Sequence, residues 1–428
     1  MNITELLHRE VQPAIGCTEP IAVALCVAKA KEQLGKEPTA IRVLLSKNVY
    51  KNAMAVGIPN TGMTGLPIAI ALGATAGHSD YLLEVLKDVD EKAVAYAREY
   101  MARVPIQIEV DNNAPDILYI RVEVSADEAH SEATIQGAHT RFVTCAQTTA
   151  DRSSASDDDC PLTMQTVWDY AMNTDIEEVA WLQEGAEMNI RAAEISFNGN
   201  YGHGLGRLLH SQTATLSDNK HKRGPDIGDV FGDTLFTKIL SYTCGACDAR
   251  MSGAMVQVMS NSGSGNQGIS CSVPVYLYAK ERDCSREQTI RALALSNLTV
   301  VYIKQSLGRL SALCGCVVAA TGSAVGITYL MGGGYAEATY AIKNMIANIS
   351  GMICDGAKPG CALKVTSGVG TAILSASLAM QHSYADATEG IVEEDIDRTI
   401  HNLTRIGHDG MTQTDDLILD IMTHKLTK

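Results

Sequence analysis

The sequence has 428 residues, of which 46% are hydrophobic and 19% are charged. A chain of this length and composition can bury a large core, which excludes an intrinsically disordered protein. Its net charge of −15 excludes sequence-independent binding to nucleic acid, which needs clustered Lys and Arg.

The N-terminal sequence MNITELLHREVQPAIGC has neither the basic start nor the apolar core of a signal peptide. We therefore expect a cytoplasmic protein, whose twelve cysteines serve as thiols, metal ligands or catalytic groups rather than disulfides. The longest uncharged stretch, residues 313–331, approaches membrane-spanning length. Its Gly, Ser and Thr content and its lack of flanking anchors favour a buried core helix, and we expect no membrane partner.

The first hundred residues are predicted to be largely helical. A short helix over 2–10 is followed by a loop that ends at Cys17, and the apolar spacing from Ile21 predicts a helix that Thr18 caps and that reaches about Leu34. Cys17 would then precede a helix N-terminus, where the partial positive charge should lower the pKa of its thiol. Two further segments, 40–45 and 49–56, have the pattern of strands or a hairpin. Residues 63–77 are a predicted Gly/Ala-rich helix, and 80–103 are predicted to form one or two amphipathic helices.

From Pro105 the pattern changes to alternating apolar and polar residues with turn signals, which predicts a small β-rich unit over 105–145. The polar run 148–159 is typical of an exposed linker. The predicted fold class is therefore mainly α, with a large helical catalytic domain and a small inserted α+β subdomain. The catalytic domain comprises 1–104 and 161–428, the subdomain and its linker comprise 105–160, and the strands near 40–56 are candidates for the subdomain sheet.

From Leu162 onward the pattern is helical, and the last 40 residues are predicted to be an acidic, amphipathic helical end piece. The Gly-rich segment 196–209, with His203, lacks the preceding strand of a dinucleotide-binding motif. Residues 211–233 are predicted to be a polar connection with a basic patch at 221–223. A CGAC pair, Cys244 and Cys247, lacks the second pair of a structural zinc site, so packing of small residues is favoured there; Asp248 and Arg250 beside it are alternatives for a polar contact near the site.

Three cysteines, Cys314, Cys354 and Cys361, are candidate ligands of a [4Fe–4S] cluster, because thiolates are the usual cluster ligands. They lie 40 and then 7 residues apart, and the sequence CDGAKPGCALK places charged and Gly/Pro residues around the last two. The alternative is that a cysteine is a small buried apolar residue, which we favour for Cys316 in its apolar run.

The loop NSGSGNQG at 261–268 is the second candidate element, because its glycines allow close backbone approach and its short polar side chains suit a carboxylate. Its candidate substrate-binding residues are Ser262, Ser264, Asn266 and Gln267. The loop lacks the Gly-Lys-Ser/Thr ending of a P-loop, and the alternative is a simple turn. Lys364 is a further candidate for a substrate carboxylate, with a solvated lysine as the alternative; a pyridoxal phosphate lysine is disfavoured because no phosphate-binding loop is evident.

The segments PAIGCTEP (13–20), NSGSGNQG (261–268) and CDGAKPGCALK (354–364), in this order, resemble the L-cysteine desulfidase family. That family is related to the iron–sulfur L-serine dehydratases, and an uncharacterised protein family shares its pattern. The resemblance covers nearly the whole chain. It implies a [4Fe–4S] cluster held by Cys314, Cys354 and Cys361, and a catalytic role for Cys17 as a base or a group close to the cluster.

The resulting hypothesis is a lyase that eliminates sulfide from L-cysteine, giving pyruvate and ammonia as well. L-serine dehydratase is the close alternative, because an open iron would also bind a hydroxyl. A non-catalytic homologue that binds a small amino acid or metal is the third. A small amino acid is the expected partner, and the many small residues make a homo-oligomer plausible.

Overall fold

The structure, a computed structural model, describes residues 1–143, 160–214 and 231–425. The predicted linker at 148–159 and the basic patch at 221–223 lie outside these residues. In the described ranges the helices are α1 Ile3–Glu10, α2 Thr18–Leu34, α3 Lys47–Ala53, α4 Leu66–Thr75, α5 Glu91–Arg103, α6 Met164–Asn173, α7 Ile176–Val179, α8 Trp181–Phe197, α9 Leu205–Ala214, α10 Leu235–Met251, α11 Gly265–Glu281, α12 Arg286–Leu307, α13 Gly315–Leu330, α14 Tyr335–Ile349, α15 Cys361–Ala379, α16 Ile396–Arg405 and α17 Thr412–Thr423. The strands are β1 Pro13–Ile15, β2 Ala40–Leu45, β3 Ile106–Val110, β4 Tyr119–Ala126, β5 Ala129–Gln136, β6 Phe142–Val143 and β7 Gln257–Met259. The predicted mainly α fold class is confirmed.

Residues 40–143 contribute a five-stranded sheet with the strand order β3-β2-β4-β5-β6. Strand β2 runs parallel to β3 and antiparallel to β4, and the remaining pairs are antiparallel. One face of the sheet is buried under α2, because alternate residues such as Ile41, Val43 and Leu45 point inward. Strand β2 therefore joins the predicted sheet.

The helices α2, α4 and α5 share one buried apolar cluster with this sheet, which extends from Ala14 to Ile135 and includes Leu310. Small residues bring the helices close together. A Cβ at Gly73 in α4, for example, would lie 2.5 Å from the carbonyl oxygen of Ala24 in α2. The shared core groups these helices with the sheet, while the domain boundaries drawn from the sequence stay a prediction.

The predicted strand over 49–56 is wrong, because residues 47–53 form helix α3. Val49 and Ala53 are both buried and lie four residues apart, which is the spacing of one helical face. Lys51 is 2% exposed and its ammonium pairs with Asp415 of α17, so a charged side chain lies on the inner face of this helix. Because this buried lysine interrupts the apolar face, the helical pattern of α3 is not evident in the sequence.

The second half of the chain packs around α13, which contacts α11, α12, α14 and α15. Nearly every side chain of α13 is buried, as predicted for the uncharged stretch 313–331. Glycine again permits close packing: a Cβ at Gly322 would lie 2.5 Å from the carbonyl oxygen of Ser296. By length and composition, α15 is the one helix of the described residues that is apolar enough to cross a membrane, but it packs against four other helices here.

A two-stranded antiparallel ribbon joins the N-terminal segment to the middle of the chain. Strand β1 pairs with β7, so that Pro13 faces Met259 and Ile15 faces Gln257. The residues that follow these strands are Cys17 and the Gly-rich loop at 261–268. The ribbon therefore brings two of the predicted site segments to the same end of the molecule.

Candidate functional site

Four helices begin at residues that the sequence marks as functional. Cys17, Ser264 and Cys314 are the N-cap residues of α2, α11 and α13, and Cys361 is the first residue of α15. Free N–H groups give each helix start a partial positive charge. At least two of these starts touch, because a Cβ at Gly315 would lie 3.0 Å from Gln267 Oε1. The arrangement favours thiolates and carboxylates over cations.

The structure brings Cys314, Cys354 and Cys361 together. A β-bridge pairs Leu313 with Ile353, supported by hydrogen bonds from Cys314 N to Met352 O at 2.9 Å and from Cys354 N to Ala312 O at 2.6 Å. By the two-residue alternation of extended chains, Cys314 and Cys354 point to the same side of this bridge. The charge of Cys314 is close enough to raise the pKa values of both Cys354 and Cys361, and the charge of Cys361 raises that of Cys354. The role of the three thiols as ligands stays a prediction.

The thiols at this site differ in protonation. A hydrogen bond from the neighbouring Cys316 thiol outweighs burial and lowers the pKa of Cys314 to about 7, whereas the pKa of Cys316 is raised by the same pairing. Burial raises the pKa of Cys354 to about 11 and also raises that of Cys361. Cys314 is therefore the most acidic thiol of the group, and the thiolate is the form that binds metal. Cys316 is therefore in direct contact with the site. The sequence had favoured only a small buried apolar residue at this position.

The loop between Cys354 and Cys361 is held by ion pairs. Lys358 Nζ lies 2.5 Å from Asp355 Oδ1, and Lys364 also pairs with this carboxylate while donating to Ile353 O at 2.8 Å. These lysines hold the pKa of Asp355 at about 2 against the effect of burial. Two of the three N–H donors of the Lys364 ammonium are used within this loop, and its charge is already paired with Asp355.

Cys17 is 2% exposed, and its thiol donates to Glu19 Oε2 at 3.1 Å. Burial and the adjacent carboxylate raise the pKa of Cys17 well above that of a free thiol. The expectation that the helix N-terminus would lower this pKa is therefore wrong. The helix dipole is worth at most about 2 kcal/mol, and desolvation of a fully buried thiolate together with a like charge exceeds it.

Glu19 and His139 are site residues that the sequence did not identify. Glu19 accepts hydrogen bonds from Cys17, from Thr18 and, at 3.0 Å, from Asn52 Nδ2. His139 Nε2 lies 3.8 Å from Glu19 Oε1, a distance for electrostatic attraction rather than a hydrogen bond. Burial would raise the pKa of Glu19, but His139 and the hydrogen bond from Cys17 outweigh it and hold the pKa at about 2.

The Gly-rich loop uses most of its polar groups to build itself. Ser262 has a φ of 48° and donates to Asn261 Oδ1 at 2.8 Å, while Ser264 Oγ accepts the Gln267 N–H at the start of α11. Gln267 Nε2 donates to Asn261 O at 3.1 Å, and Gln267 Oε1 has no hydrogen-bond partner among the described residues. A Cβ at Gly263 would lie 2.6 Å from His139 Nδ1, so the loop adjoins the pair of Glu19 and His139.

Two buried cations complete the site. Arg250, in the last turn of α10, is 2% exposed and donates from Nη1 to Asn266 Oδ1 at 3.0 Å. Lys304 of α12 donates to Arg309 O at 3.0 Å, and burial followed by repulsion from Arg309 lowers its pKa to about 8. The sequence raised Arg250 only as an alternative and missed Lys304, because apolar helical spacing gives no sign of which cation faces inward. In the CGAC pair, Cys244 and Cys247 are fully buried, as expected for small-residue packing.

The donor set fits a cluster better than a single metal ion. No group of three or more His, Cys, Asp or Glu side chains in the described ranges is placed to hold one ion. Ligands of a single ion must converge on one point, whereas the thiolates of a cubane cluster bind different irons. Cys314 and Cys361 at two helix starts and Cys354 in the adjoining loop form an all-sulfur set, which is the donor chemistry of an iron–sulfur cluster.

Comparison of the sequence with known proteins identifies the family of this chain. Residues 17–420 match the family model for the serine dehydratase alpha chain. UPF0597 proteins from Bacteroides fragilis and Phocaeicola vulgatus are 54% and 55% identical, and the alignments cover 99% of this chain and 98% and 97% of the relatives. A UPF0597 protein from Shewanella halifaxensis is 41% identical over 98% of both chains. The chain belongs to the serine dehydratase alpha chain family.

Proposed function

We propose that this protein is a lyase that eliminates the β-substituent of a small amino acid, with L-cysteine as the substrate and pyruvate, ammonia and sulfide as products. The observation that carries the proposal is the gathering of Cys314, Cys354 and Cys361 at one place, beside the loop that starts α11. Membership in the serine dehydratase alpha chain family supports the same class of reaction.

The proposed cofactor is a [4Fe–4S] cluster held by Cys314, Cys354 and Cys361. Such a cluster with three protein ligands supplies a Lewis acid at its remaining iron. The three cysteines would hold the cluster as thiolates, so those that are protonated beforehand would lose their protons on loading, and loading should release protons. Lys358 of this loop and Lys364 in the first turn of α15 both pair with Asp355 and so offset the negative charge of the loop.

The residues around the substrate would orient it and move its proton. Elimination breaks the Cα–H and Cβ–S bonds and forms a carbon–carbon double bond, and the resulting aminoacrylate reacts with water to give pyruvate and ammonia. Cys17 is the proposed acceptor of the Cα proton. Glu19 holds the Cys17 side chain in place through its hydrogen bond, and the burial of both keeps bulk water away from the transfer.

L-serine is the second candidate substrate, and the family match favours it directly. The same residues would serve, because the reaction differs only in the leaving group. A soft thiolate leaving group suits iron–sulfur chemistry better than a hydroxyl, which is why we place L-cysteine first.

The test is anaerobic reconstitution with iron and sulfide, followed by pyruvate assays with both amino acids. We expect pyruvate from L-cysteine at a higher kcat/KM than from L-serine; pyruvate from neither would contradict the lyase proposal and leave the non-catalytic binding protein as the alternative. Cys354→Ser should abolish both the visible absorbance of the cluster and the activity. The matched control is Cys26→Ser, a buried cysteine of the sheet core whose thiol donates to Ala133 O, and it should retain both. Survival of absorbance and activity in Cys354→Ser would refute the ligand assignment.

A further inference from the structure

Arg250 has an unusual environment for a buried guanidinium. Its side chain is 98% buried, since its exposed fraction is 2%, yet Nε and Nη2 have no hydrogen-bond partner among the described residues. The third nitrogen, Nη1, donates to the neutral amide oxygen of Asn266. The nearest acidic residue in sequence, Asp248, accepts instead from Gly206 N at 3.2 Å, at the start of α9.

The positive charge of Arg250 also lies beside the N-terminus of a helix. A Cβ at Gly265 would lie 2.3 Å from Arg250 Nε, so the guanidinium lies against the first residue of α11. The N-terminus of a helix carries a partial positive charge, which repels a cation and attracts an anion. A buried charge without an opposite charge is costly, so the guanidinium and the helix start are both stabilised when an anion binds beside them.

The two free nitrogens define the shape of that anion. Nε and Nη2 lie on the same edge of the guanidinium, and this edge binds a carboxylate through two parallel hydrogen bonds. Arg250 is also near enough to Cys17 and Cys247 for its charge to act on both thiols. A carboxylate on Arg250 would therefore lie in the same buried region as Cys17.

We propose that Arg250 is the residue that binds the substrate carboxylate and thereby selects free α-amino acids. This inference rests on the proposed function for the identity of the ligand. It assigns to Arg250 the part that the sequence had suggested for Lys364, whose ammonium is engaged by Asp355 and Ile353 O.

The experiment measures binding of L-alanine and of L-alaninamide to the full-length, anaerobically reconstituted protein by isothermal titration calorimetry. L-alanine has no leaving group and is not turned over, and L-alaninamide lacks the carboxylate. We expect Arg250→Gln to weaken L-alanine binding by about 50-fold or more, because a charge-assisted bidentate pair is lost, and to leave the weak binding of L-alaninamide unchanged. The matched control is Arg291→Gln, which removes an arginine that is paired with Glu287 and Ala171 O; it should bind L-alanine as the original chain does.

A second variant keeps the proposal testable if Arg250→Gln does not fold. Asn266→Asp keeps Arg250 but gives it a carboxylate partner within the protein, which competes with the ligand. It should raise the melting temperature and weaken L-alanine binding by about tenfold or more. L-alanine affinity within twofold of the original in Arg250→Gln or in Asn266→Asp would overturn the proposal, as would equal affinity of the original protein for L-alanine and L-alaninamide.

The outcome is separable from that of the proposed function. Arg250-dependent binding of L-alanine in a protein that makes no pyruvate would retain the carboxylate site and refute the lyase. Unchanged KM for L-cysteine in an active Arg250→Gln variant would retain the lyase and refute the carboxylate site.

Discussion

The proposed reaction depends on the protonation states of single residues in the site. Cys17 is a thiol in the folded protein, because burial and Glu19 raise its pKa. A base must first be deprotonated, so Glu19 holds Cys17 in position but opposes its ionisation. The reaction should then be limited at neutral pH by the small fraction of Cys17 thiolate.

Replacing Glu19 with Gln tests this relation. Removal of the negative charge lowers the pKa of Cys17, so the thiolate forms at lower pH. The rise of kcat/KM with pH should therefore move to lower pH by about 1 to 3 units, which is the usual effect of one adjacent charge. The measurement is the pH profile of pyruvate formation from L-cysteine.

The control for this profile is Glu32→Gln. Glu32 accepts a hydrogen bond from Ser79 N at 2.8 Å, in the sheet-containing part of the chain, and its loss should leave the profile in place. A profile that stays unchanged in Glu19→Gln, or that moves to higher pH, would show that Cys17 is not the titrating base.

At the scale of elements, the site depends on close contact between helix starts and extended segments. Gly268 in the first turn of α11 lies against strand β7, where a Cβ would be 1.9 Å from Met259 O. This contact fixes the Gly-rich loop relative to the ribbon of β1 and β7. A small residue here is a requirement of backbone packing.

Gly268→Ala should therefore destabilise the protein by about 3 kcal/mol or more, because backbone must move to admit the methyl group. Gly351→Ala is the matched control, since a Cβ there meets no atom within 4 Å and its φ is not positive. Urea denaturation followed by circular dichroism measures both. Equal free energies of unfolding for the two variants would show that the backbone at the β7–α11 contact can move at little energetic cost.

The sequence predicts elements well where one periodicity dominates. Alternation over 105–145 predicts strands β3 to β6, and the uncharged stretch before Met331 predicts the buried helix α13. It fails at α3, because the pairing of Lys51 with a helix more than 350 residues later cannot be read from local pattern. For a related reason, the sequence missed His139 and raised Arg250 only as an alternative. Their contacts with Glu19 and Asn266 arise only when separate elements meet.

At the scale of the whole molecule, the C-terminal helix α17 is tied to the first part of the chain. Lys51 of α3 pairs with Asp415 of α17, Asn48 donates to the same carboxylate, and Lys51 Nζ also donates to Cys354 O at 3.4 Å. One buried ion pair thus links the sheet-containing part, the last helix and a candidate ligand loop. The predicted homo-oligomer stays a prediction.

Asp415→Asn should destabilise the protein by about 3 kcal/mol, because it leaves Lys51 buried without an opposite charge. Lys51→Met removes the charge itself, and the double variant should be less destabilised than the sum of the single changes by about 1 kcal/mol or more. Urea denaturation of all four proteins gives the coupling. Strict additivity would contradict a direct interaction between the two charges.

The ribbon of β1 and β7 also determines when the site is completed. Strand β1 is synthesised more than two hundred residues before its partner, and Cys361 follows later still. At ordinary translation rates this leaves the Cys17 segment unpaired on the ribosome for roughly 10 to 50 s. The three proposed cluster ligands are complete only once Cys361 has been translated, so the proposed cluster can be inserted only late in the synthesis of the chain.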